Sequence, residues 1–551
     1  MIKPINQNNF LIKTILISLI VIIFSSLCPT GNLRAQFDEF NNRIIEDHVF
    51  AMFLYRDKLL NDEYRPVYHF VIPEGIAHPF DPNGAIYWQN RYHLFYIFQT
   101  VKPLPYYRGD AWAHISSHDL VHWRFHPTAL KPDDESPERA IYSGNAFIDK
   151  EGVPTVMYHG LGAGNCIARA DDEDNLDDWE KHEANPVIPH PEYVLDNDDA
   201  EYRAILDDYP DYGEHDVWDP HAWLEGDTYY AISGDNGLWP GKKAALYKSD
   251  NLKDWQLVGD FFHHGDEKVR GRLDCPDFFK LGDKYVLFYL RHGLEYMIGE
   301  FKNEQFYPEK QGTLTWLNGM GYAPESLVDD KGRRIMWAAL NDSRTRWGGL
   351  EEFITQHGWC GAMTLPRVLS LDKNKNLKIQ PVKELESLRY GHFQKRDLKI
   401  DNGSVSIGEF LGRALELDLT MVPKGAQSFG IKVCYEPDGA EQTVIWYDVG
   451  KQKVYVDLSR TSLDPRLMKN FYEDHGLLQE ADLKLKDGEP LHLRIFIDSS
   501  VLEVFVNSRL CLTHRIYPML EDSEGIELFS KGGAVEVPVF NGWKMHPSNP
   551  W

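Results

Sequence analysis

The chain has 551 residues, of which 43% are hydrophobic and 26% charged, an ordinary globular balance that excludes a disordered chain or a collagen-like fibre. Its formal net charge is −26, and because so acidic a surface repels phosphate backbones, nucleic acid is not expected as a partner. Aromatic residues make up 13%, which is typical of β-rich proteins and of proteins that stack on sugar rings.

Residues 1–35 have the features of a secretory signal peptide. Lys3 and Lys13 precede an apolar run over 15–27, and Ala35 supplies a small residue at the expected cleavage point. A membrane anchor is the alternative, but a run of 13 residues falls short of the roughly 20 needed to span a bilayer. No later run is long and apolar enough to span a membrane either. We therefore expect a secreted or periplasmic protein without a membrane span.

One unit recurs five times in the next part of the chain. It consists of a polar head, an apolar strand, a Gly/Asn/Asp turn and an aromatic-rich strand, and the copies begin at Asp81, Ser143, Asp219, Cys275 and Ala323. Apolar and polar residues alternate within each copy, which indicates half-buried hairpins. Small antiparallel sheets of this length are typical of β-propeller blades, although a long sandwich or a solenoid is an alternative. We predict a five-bladed β-propeller over residues 36–375.

The pattern changes after residue 375. Residues 376–390 are polar and predict a linker with a short helical turn. Short alternating strands without the blade motif follow, for example LHLRIFIDSSVLEVFVN from Leu491. Many such strands in about 165 residues are typical of a β-sandwich. The predicted fold is therefore all-β, with a propeller followed by a C-terminal β-sandwich over 391–551.

Carboxylates occur at several repeat heads, which line the central channel of a propeller. Asp81, Asp219, the pair Asp274 and Asp277, and Glu325 all belong to this set. Breaking a glycosidic bond requires one acid to protonate the leaving oxygen and a second carboxylate to attack or to activate water. Any single aspartate at such a position can instead cap a turn. Several such heads facing one funnel favour glycoside hydrolysis.

The same segments resemble a known family. Residues 64–96 contain RPVYHF, DPNG and YHLFY, and the likeness continues through VWDPHAW from Val217, LDCPDFF from Leu273 and YAPES from Tyr322. In order and in both predicted domains, these motifs resemble glycoside hydrolase family 32, the invertase, inulinase and levanase family. The likeness covers nearly all of the chain after residue 35.

The resemblance implies a role for three aspartates. Asp81 falls on the family's nucleophile, Asp219 on its transition-state stabiliser and Asp274 on its acid/base, which together imply a retaining double displacement. No cofactor and no metal ion is implied, and no metal-ligand spacing is evident. The resemblance and the repeat heads also predict a set of substrate-binding residues: His78, Asn83, Gln99, Trp112, Ser143, Trp218 and Glu325.

Several motif positions depart from the family. Trp218 replaces an arginine, Asp274 replaces a glutamate, and His78-Pro79-Phe80 replaces Trp-Met-Asn. Ile97 stands where the family has a glutamine, with Gln99 two residues further on. Because aspartate is shorter than glutamate by roughly 1.5 Å, Asp277 or Glu325 remains an alternative acid.

Three functions are consistent with these residues. The first is an exo-acting hydrolase of β-fructofuranosides such as sucrose, inulin or levan. The second keeps the mechanism and acts on a different furanoside, and the third is a non-catalytic propeller that binds carbohydrate. An oligo- or polysaccharide is the expected partner in each case.

Overall fold

The computed structural model describes residues 60–71, 77–100, 110–132, 136–190, 215–235, 243–263, 273–291, 293–315, 321–342, 344, 356–467 and 476–549, and for 77–80 and 99–100 the backbone alone. Within these ranges there are 34 strands, one six-residue 3₁₀ segment and one three-residue α-helix, and residues 60–61, 344 and 356–357 are also helical. The prediction of an all-β chain is confirmed. The predicted signal peptide lies outside the described residues.

Three four-stranded antiparallel sheets and one with an added short strand come first. The first sheet holds β1 (Ala77–Trp88), β2 (Arg91–Thr100), β3 (Ala111–Ser117) and β4 (Trp123–Phe125). The second holds β5 (Ile141–Ile148), β6 (Pro154–Gly160), β7 (Gly164–Ala170), β8 (Trp179–Lys181) and β9 (Ile188–Pro189). The third holds β10 (Pro220–Glu225), β11 (Thr228–Ser233), β12 (Ala245–Ser249) and β13 (Gln256–Asp260). The fourth holds β14 (Asp274–Leu281), β15 (Lys284–Leu290), β16 (Leu294–Lys302) and β17 (Gln305–Thr313).

A fifth sheet follows in the same style. It holds β18 (Tyr322–Val328), β19 (Arg334–Leu340), β20 (Ala362–Met363), β21 (Arg367–Leu371) and β22 (Leu377–Pro381). Strand β22 pairs with β21, so this sheet extends into the segment predicted as a linker. The helical turn expected in that segment is the 3₁₀ segment Lys383–Leu388.

The first strands of the five sheets contact one another in sequence, β1 with β5, β5 with β10, β10 with β14, β14 with β18, and β18 with β1. Four of them have an irregular register near their start, as between Phe80 and Pro82 and between Asp274 and Asp277. Such bulges bend a strand and re-aim its side chains. The bulges in β1, β5 and β14 lie beside Asp81, Ser143 and Asp274, which are near one end of the channel between these strands.

The C-terminal part consists of two six-stranded antiparallel sheets. One sheet, in spatial order, holds β23 (Arg389–Asp401), β34 (Ala534–Met545), β25 (Ala414–Lys424), β30 (Leu491–Asp498), β31 (Val501–Val506) and β32 (Leu510–Arg515). The other holds β24 (Ser404–Ser406), β33 (Gly525–Lys531), β26 (Ser428–Tyr435), β27 (Gln442–Asp448), β28 (Lys453–Arg460) and β29 (Leu478–Asp482). The α-helix α1 (Pro465–Leu467) follows β28. Both sheets contribute to one apolar core, in which Leu491, Leu493 and Ile495 of β30 are buried.

An interdomain joint connects the fifth sheet to the sandwich. Phe496 and Phe505 of the sandwich belong to the same buried cluster as Trp337 of β19. Around this apolar contact, Arg367 pairs with Glu503 at 3.1 Å and Arg515 pairs with Asp342 at 3.0 Å. All four of these charged side chains are buried. The sandwich therefore supports the propeller-side sheets directly. No helix in the described ranges is long and apolar enough to cross a membrane.

Candidate active site

Asp81 lies at a bulge in β1 with a positive φ of 32°, a strained conformation that is common at functional sites. The Ser143 hydroxyl, from the start of β5, donates a hydrogen bond of 2.8 Å to Asp81 Oδ2. Gly84 completes the DPNG turn, and here glycine is required: its φ is +55°, and a Cβ would lie 2.9 Å from the ring of Phe95. The local sequence thus holds the Asp81 carboxylate at the head of the channel.

Asp219 reaches the same place from the segment immediately before β10. Its Oδ2 accepts a hydrogen bond of 3.0 Å from the backbone N–H of Cys275. The Cys275 thiol lies 3.5 Å from Asp219 Oδ2, 3.6 Å from Asp81 Oδ2 and 3.6 Å from Ser143 Oγ. Cys275, which has a positive φ of 46°, therefore links two of the predicted catalytic aspartates.

Asp274 begins β14 and is buried. Its charge raises the pKa of both Asp81 and Asp219, and it directly precedes Cys275, whose thiol contacts both aspartates. The structure therefore brings together the three predicted catalytic aspartates, which lie near the starts of three different strands, β1, β10 and β14. Their roles stay predictions, but their convergence is the arrangement that two-carboxylate glycosidase chemistry requires.

Burial dominates the electrostatics of this cluster. Desolvation, with a smaller contribution from Asp274, raises the pKa of Asp81 to about 6 against the hydrogen bonds from Ser143 and Cys275. Desolvation and the charges of Asp274 and Asp81 hold the pKa of Asp219 well above its usual range. A group of acids with raised pKa values in a cleft is a mark of an active site. The cluster keeps a proton at a higher pH than isolated aspartates would.

Two of the predicted substrate-binding residues hold the frame of the site. The Asn83 amide donates to the Asp81 carbonyl at 2.6 Å and accepts from the Gly144 N–H at 2.9 Å, which ties β1 to β5. Trp112 is buried, and its indole N–H donates to the Tyr142 carbonyl at 3.0 Å. Both side chains position the strands that carry Asp81 and Ser143.

Trp218 is the half-buried neighbour of Asp219. Its ring packs edge-on against Tyr142 with the centroids 5.8 Å apart, and against His159 at 4.6 Å. An aromatic wall therefore stands where the family pattern has an arginine. His78 and Gln99 are two further predicted substrate-binding residues. Their backbones pair across β1 and β2, and their side chains lie outside the described part of the chain.

Asp81, Asp219 and Asp274 are called the aspartate cluster below. Glu325 and Asp277 lie deeper in the channel than this cluster. Glu325 accepts a hydrogen bond of 2.8 Å from the Ala85 N–H, and Asp277 accepts one of 2.5 Å from the Ser326 hydroxyl. Burial raises the pKa of both carboxylates, and the positive charge of Arg334 offsets only part of this rise. The charge of Asp274 raises the pKa of Asp81, which favours Asp274 over these two deeper carboxylates as the acid.

One group of side chains has the composition of a metal site. Asp177 Oδ1 lies 2.6 Å from His126 Nδ1 and 3.2 Å from His114 Nδ1. The two imidazole rings, however, are stacked with centroids 4.1 Å apart and planes 26° from parallel. Nearly parallel rings cannot aim both nitrogen lone pairs at one tetrahedral ion, so these contacts are hydrogen bonds that join the first and second sheets.

Sequence reasoning missed the central position of Cys275. The repeat pattern places Cys275 at the start of the fourth copy but assigns it no role in the site. The missing signal was the bulge, which turns a residue between two acids towards the channel. Period-two alternation alone does not specify such an irregularity.

Two family models together match most of the chain: the glycosyl hydrolases family 32 N-terminal domain over residues 69–381 and the glycosyl hydrolases family 32 C-terminal domain over 384–544. The chain is 28% identical to sucrose-6-phosphate hydrolase of Escherichia coli, with 88% of this chain and 95% of that protein covered. It is 29% identical to the levanase of Bacillus subtilis, with 88% and 71% covered.

The fold is also similar to solved structures. The crystal structure of fructan 1-exohydrolase IIa from Cichorium intybus superposes with a TM-score of 0.73 at 24% identity, covering 88% of this chain and 98% of that one. This likeness supports the predicted propeller followed by a sandwich. The prediction of a glycoside hydrolase is confirmed, because the chain belongs to glycosyl hydrolase family 32.

Proposed function

We propose that this protein is a retaining, exo-acting hydrolase of β-fructofuranosides. The observation that carries the proposal is that Asp81 and Asp219 both contact the Cys275 thiol at one end of the channel, where Asp274, the residue before Cys275, raises the pKa of both. Sucrose-6-phosphate hydrolase, an invertase and a levanase among the relatives support the same class of substrate. The five N-terminal sheets are taken as the blades of a five-bladed propeller, and their ring of first strands supports that count.

In the first step, Asp81 attacks the anomeric carbon of the fructosyl unit while Asp274 donates its proton to the leaving oxygen. The Ser143 hydroxyl, 2.8 Å from Asp81 Oδ2, orients the attacking carboxylate. Asp219 accepts hydrogen bonds from the sugar hydroxyls and stabilises positive charge on the ring. In the second step, Asp274 removes a proton from water, which attacks the anomeric carbon and releases Asp81.

The shorter acid at position 274 is compatible with this scheme if the strand start approaches the substrate. Register between β14 and β15 shifts between Asp274 and Asp277, and such a bulge moves the backbone locally. A displacement of about 1 Å is enough to change a rate by a factor of about 100. We therefore expect a working acid with an activity that is sensitive to the geometry of this bulge.

A different furanoside is the second candidate, and Trp218 favours it. The indole packs against Tyr142 and His159 beside Asp219 and offers a flat apolar surface. The sugar ring or leaving group bound there would then present a C–H face in place of hydroxyls for a guanidinium. A non-catalytic binding propeller is the third candidate.

The substrate test measures fructose release from sucrose, sucrose 6-phosphate, inulin and levan by the purified protein and by Asp81→Ala. Release that disappears in the variant supports the proposal, and release of single fructose units from inulin supports exo action. Reaction in the presence of methanol distinguishes retention, which gives the β-methyl fructoside, from inversion. Binding of these sugars with no product after long incubation would favour the non-catalytic candidate, and turnover of another furanoside alone would favour the second.

We further propose that the protein is exported to the periplasm or the medium after removal of residues 1–35. The apolar run over 15–27 and the preceding lysines support this location. N-terminal sequencing of the protein recovered from each fraction tests the proposal. A chain that starts at Gln36 is expected outside the inner membrane, and a chain that retains Lys3 in the cytoplasm would contradict it.

A further inference from the structure

The central channel contains a cavity at the end away from the aspartate cluster. This lower cavity has a volume of about 520 Å³ and is lined by all five first strands. Tyr87, Ile148, Glu225 and Val328 lie at or near the ends of their strands and belong to the lining, whereas Asp81 and Asp274 lie near the starts. The two sites therefore open at opposite ends of the same ring of strands.

His221 and Arg334 line the lower cavity, and Asp277 lies beside His221. Within the described part of the chain, His221 Nδ1, Asp277 Oδ1 and Arg334 Nε are buried and have no hydrogen-bond partner. His221 is 7% exposed and Asp277 is fully buried. Buried polar groups of this kind are normally satisfied by protein, water or ligand. His221 Nδ1 and Asp277 Oδ1 are 3.9 Å apart and neither atom is exposed. A ligand hydroxyl that lies about 2.8 Å from each therefore requires the two side chains to turn towards the cavity.

The charges around the cavity nearly balance. Arg334 and Lys280 are the cations in or beside the lining, and Glu325, Glu225 and the adjacent Asp277 are the acids. Burial raises the pKa of both Asp277 and Glu325, which reduces their negative charge near neutral pH. A phosphate group would meet carboxylates here, and a metal ion would meet the Arg334 guanidinium. A neutral ligand with several hydroxyls fits this charge pattern better than either ion.

The apolar part of the lining also matches such a ligand. Trp223, Phe278 and Tyr285 form one aromatic wall of the cavity. Aromatic rings pack against the C–H face of a sugar while the polar atoms opposite bind its hydroxyls. A volume of about 520 Å³ lies in the range of small-molecule sites, which is roughly 300–1,000 Å³.

We propose that the lower cavity is a second binding site, distinct from the catalytic one, for a neutral monosaccharide or polyol. One ligand hydroxyl bridges His221 Nδ1 and Asp277 Oδ1, and Arg334 donates from Nε to another. The ligand contacts the first strands of all five sheets at once. Because it binds the folded chain only, its occupancy raises the unfolding temperature.

The test uses two substitutions at Val328, which lines the mouth and is 46% exposed. Val328→Trp is expected to obstruct the cavity, and Val328→Ala is the matched control that leaves it open. D-fructose, D-glucose and sorbitol are titrated into both variants and the natural protein by calorimetry, with the unfolding temperature as a second readout. Activity on the best substrate reports separately on the catalytic site and should be equal in both variants.

We expect at least one of the three probes to bind the Val328→Ala protein with a dissociation constant of about 1–10 mM and the Val328→Trp protein at least tenfold more weakly. Asp277→Asn, which keeps the shape of the side chain, is expected to weaken the same binding and serves if Val328→Trp fails to fold. Equal binding of every probe by Val328→Trp and Val328→Ala would overturn the proposal. So would a crystal structure at 50 mM of each probe that shows only water in the cavity.

Discussion

The aspartate cluster and the interdomain joint both contain buried carboxylates, but the pKa is raised in the cluster and lowered in the joint. In the joint, Asp342 pairs with Arg344 at 2.9 Å and with Arg515 at 3.0 Å, and these cations hold the pKa of Asp342 below its usual range despite its burial. In the cluster, burial raises the pKa of Asp219, and the charges of its neighbours Asp274 and Asp81 raise it further.

The comparison shows that burial alone does not determine what a carboxylate does. With a bidentate guanidinium beside it, a buried acid stays ionised and ties two parts of the chain together. Surrounded by other acids and by a thiol, it retains a proton near neutral pH and is suited to acid, base or nucleophile chemistry. We therefore expect the joint to contribute to stability, and the cluster to contribute to reactivity at the expense of stability.

The largest expected effect sharpens the reactive half of this comparison. Asp81→Asn keeps the shape of the side chain and removes the nucleophile, so kcat/KM is expected to fall about 10,000-fold, as for other essential nucleophiles. Initial rates on the best substrate measure the loss, with circular dichroism as the check on folding. Ser143→Ala, which removes the 2.8 Å hydrogen bond to Asp81 and the 3.6 Å contact with the Cys275 thiol but keeps the nucleophile, is the matched control and should lose far less. Equal losses in the two variants would contradict the assignment of the nucleophile.

The next largest expected effect is a loss of stability when an ion pair in the interdomain joint is removed. Arg515→Met leaves Asp342 and its other partner Arg344 in place but removes one buried ion pair between the propeller side and the sandwich. Breaking such a pair is expected to lower the free energy of unfolding by about 3–5 kcal/mol. Urea denaturation measures the change.

The exposed pair of Lys424 with Glu536, whose side chains are 50% and 46% accessible, provides the control for the joint. Lys424→Met is expected to cost less than about 1 kcal/mol. A loss of similar size in Arg515→Met and Lys424→Met would show that the joint does not depend on its buried charges.

Much of this architecture could be predicted from the sequence, because it follows from alternation and repeats. The β-strands at the repeat heads and the alternating run from Leu491 are where the patterns place them. The position of Cys275 between two aspartates, and that of Glu325 at the lower cavity, could not be predicted. Both depend on bulges that shift the register by one residue. The pairing of Arg515 with Asp342, 173 residues apart in sequence, leaves no local signal either.

A third prediction concerns the pH dependence of stability. The raised pKa of Asp81 gives a dependence opposite in sign to that of the lowered pKa of Asp342 in the joint. Since the pKa of Asp81 is raised to about 6 in the folded chain, the folded state holds that proton more tightly than the unfolded state. The Asp81 carboxylate therefore destabilises the fold above pH 6, by roughly 2–3 kcal/mol. This penalty shrinks as the pH falls from 6 to about 4, where both states become protonated.

Asp81→Asn is accordingly expected to be more stable than the natural protein at pH 7.5 and equal to it near pH 4. Urea denaturation of both proteins at these two pH values measures the difference. Activity should fall as the pH drops below about 6, because the nucleophile must be ionised. A variant that is less stable at pH 7.5, or a stability difference that is independent of pH, would contradict the raised pKa.

The smallest expected effect comes from giving the cluster a cation of the kind that the joint has. Trp218→Arg places a guanidinium next to Asp219 and removes the indole that packs on Tyr142 and His159. The added charge should lower the pKa of Asp219 and supply donors for sugar hydroxyls, so kcat/KM on β-fructofuranosides is expected to rise about tenfold, equivalent to about 1.4 kcal/mol. Trp218→Met removes the indole without adding charge and is the matched control. A rise of the same size in both variants would assign the effect to the lost aromatic wall, whereas a fall in Trp218→Arg alone would indicate that the natural substrate uses that wall and is a different furanoside.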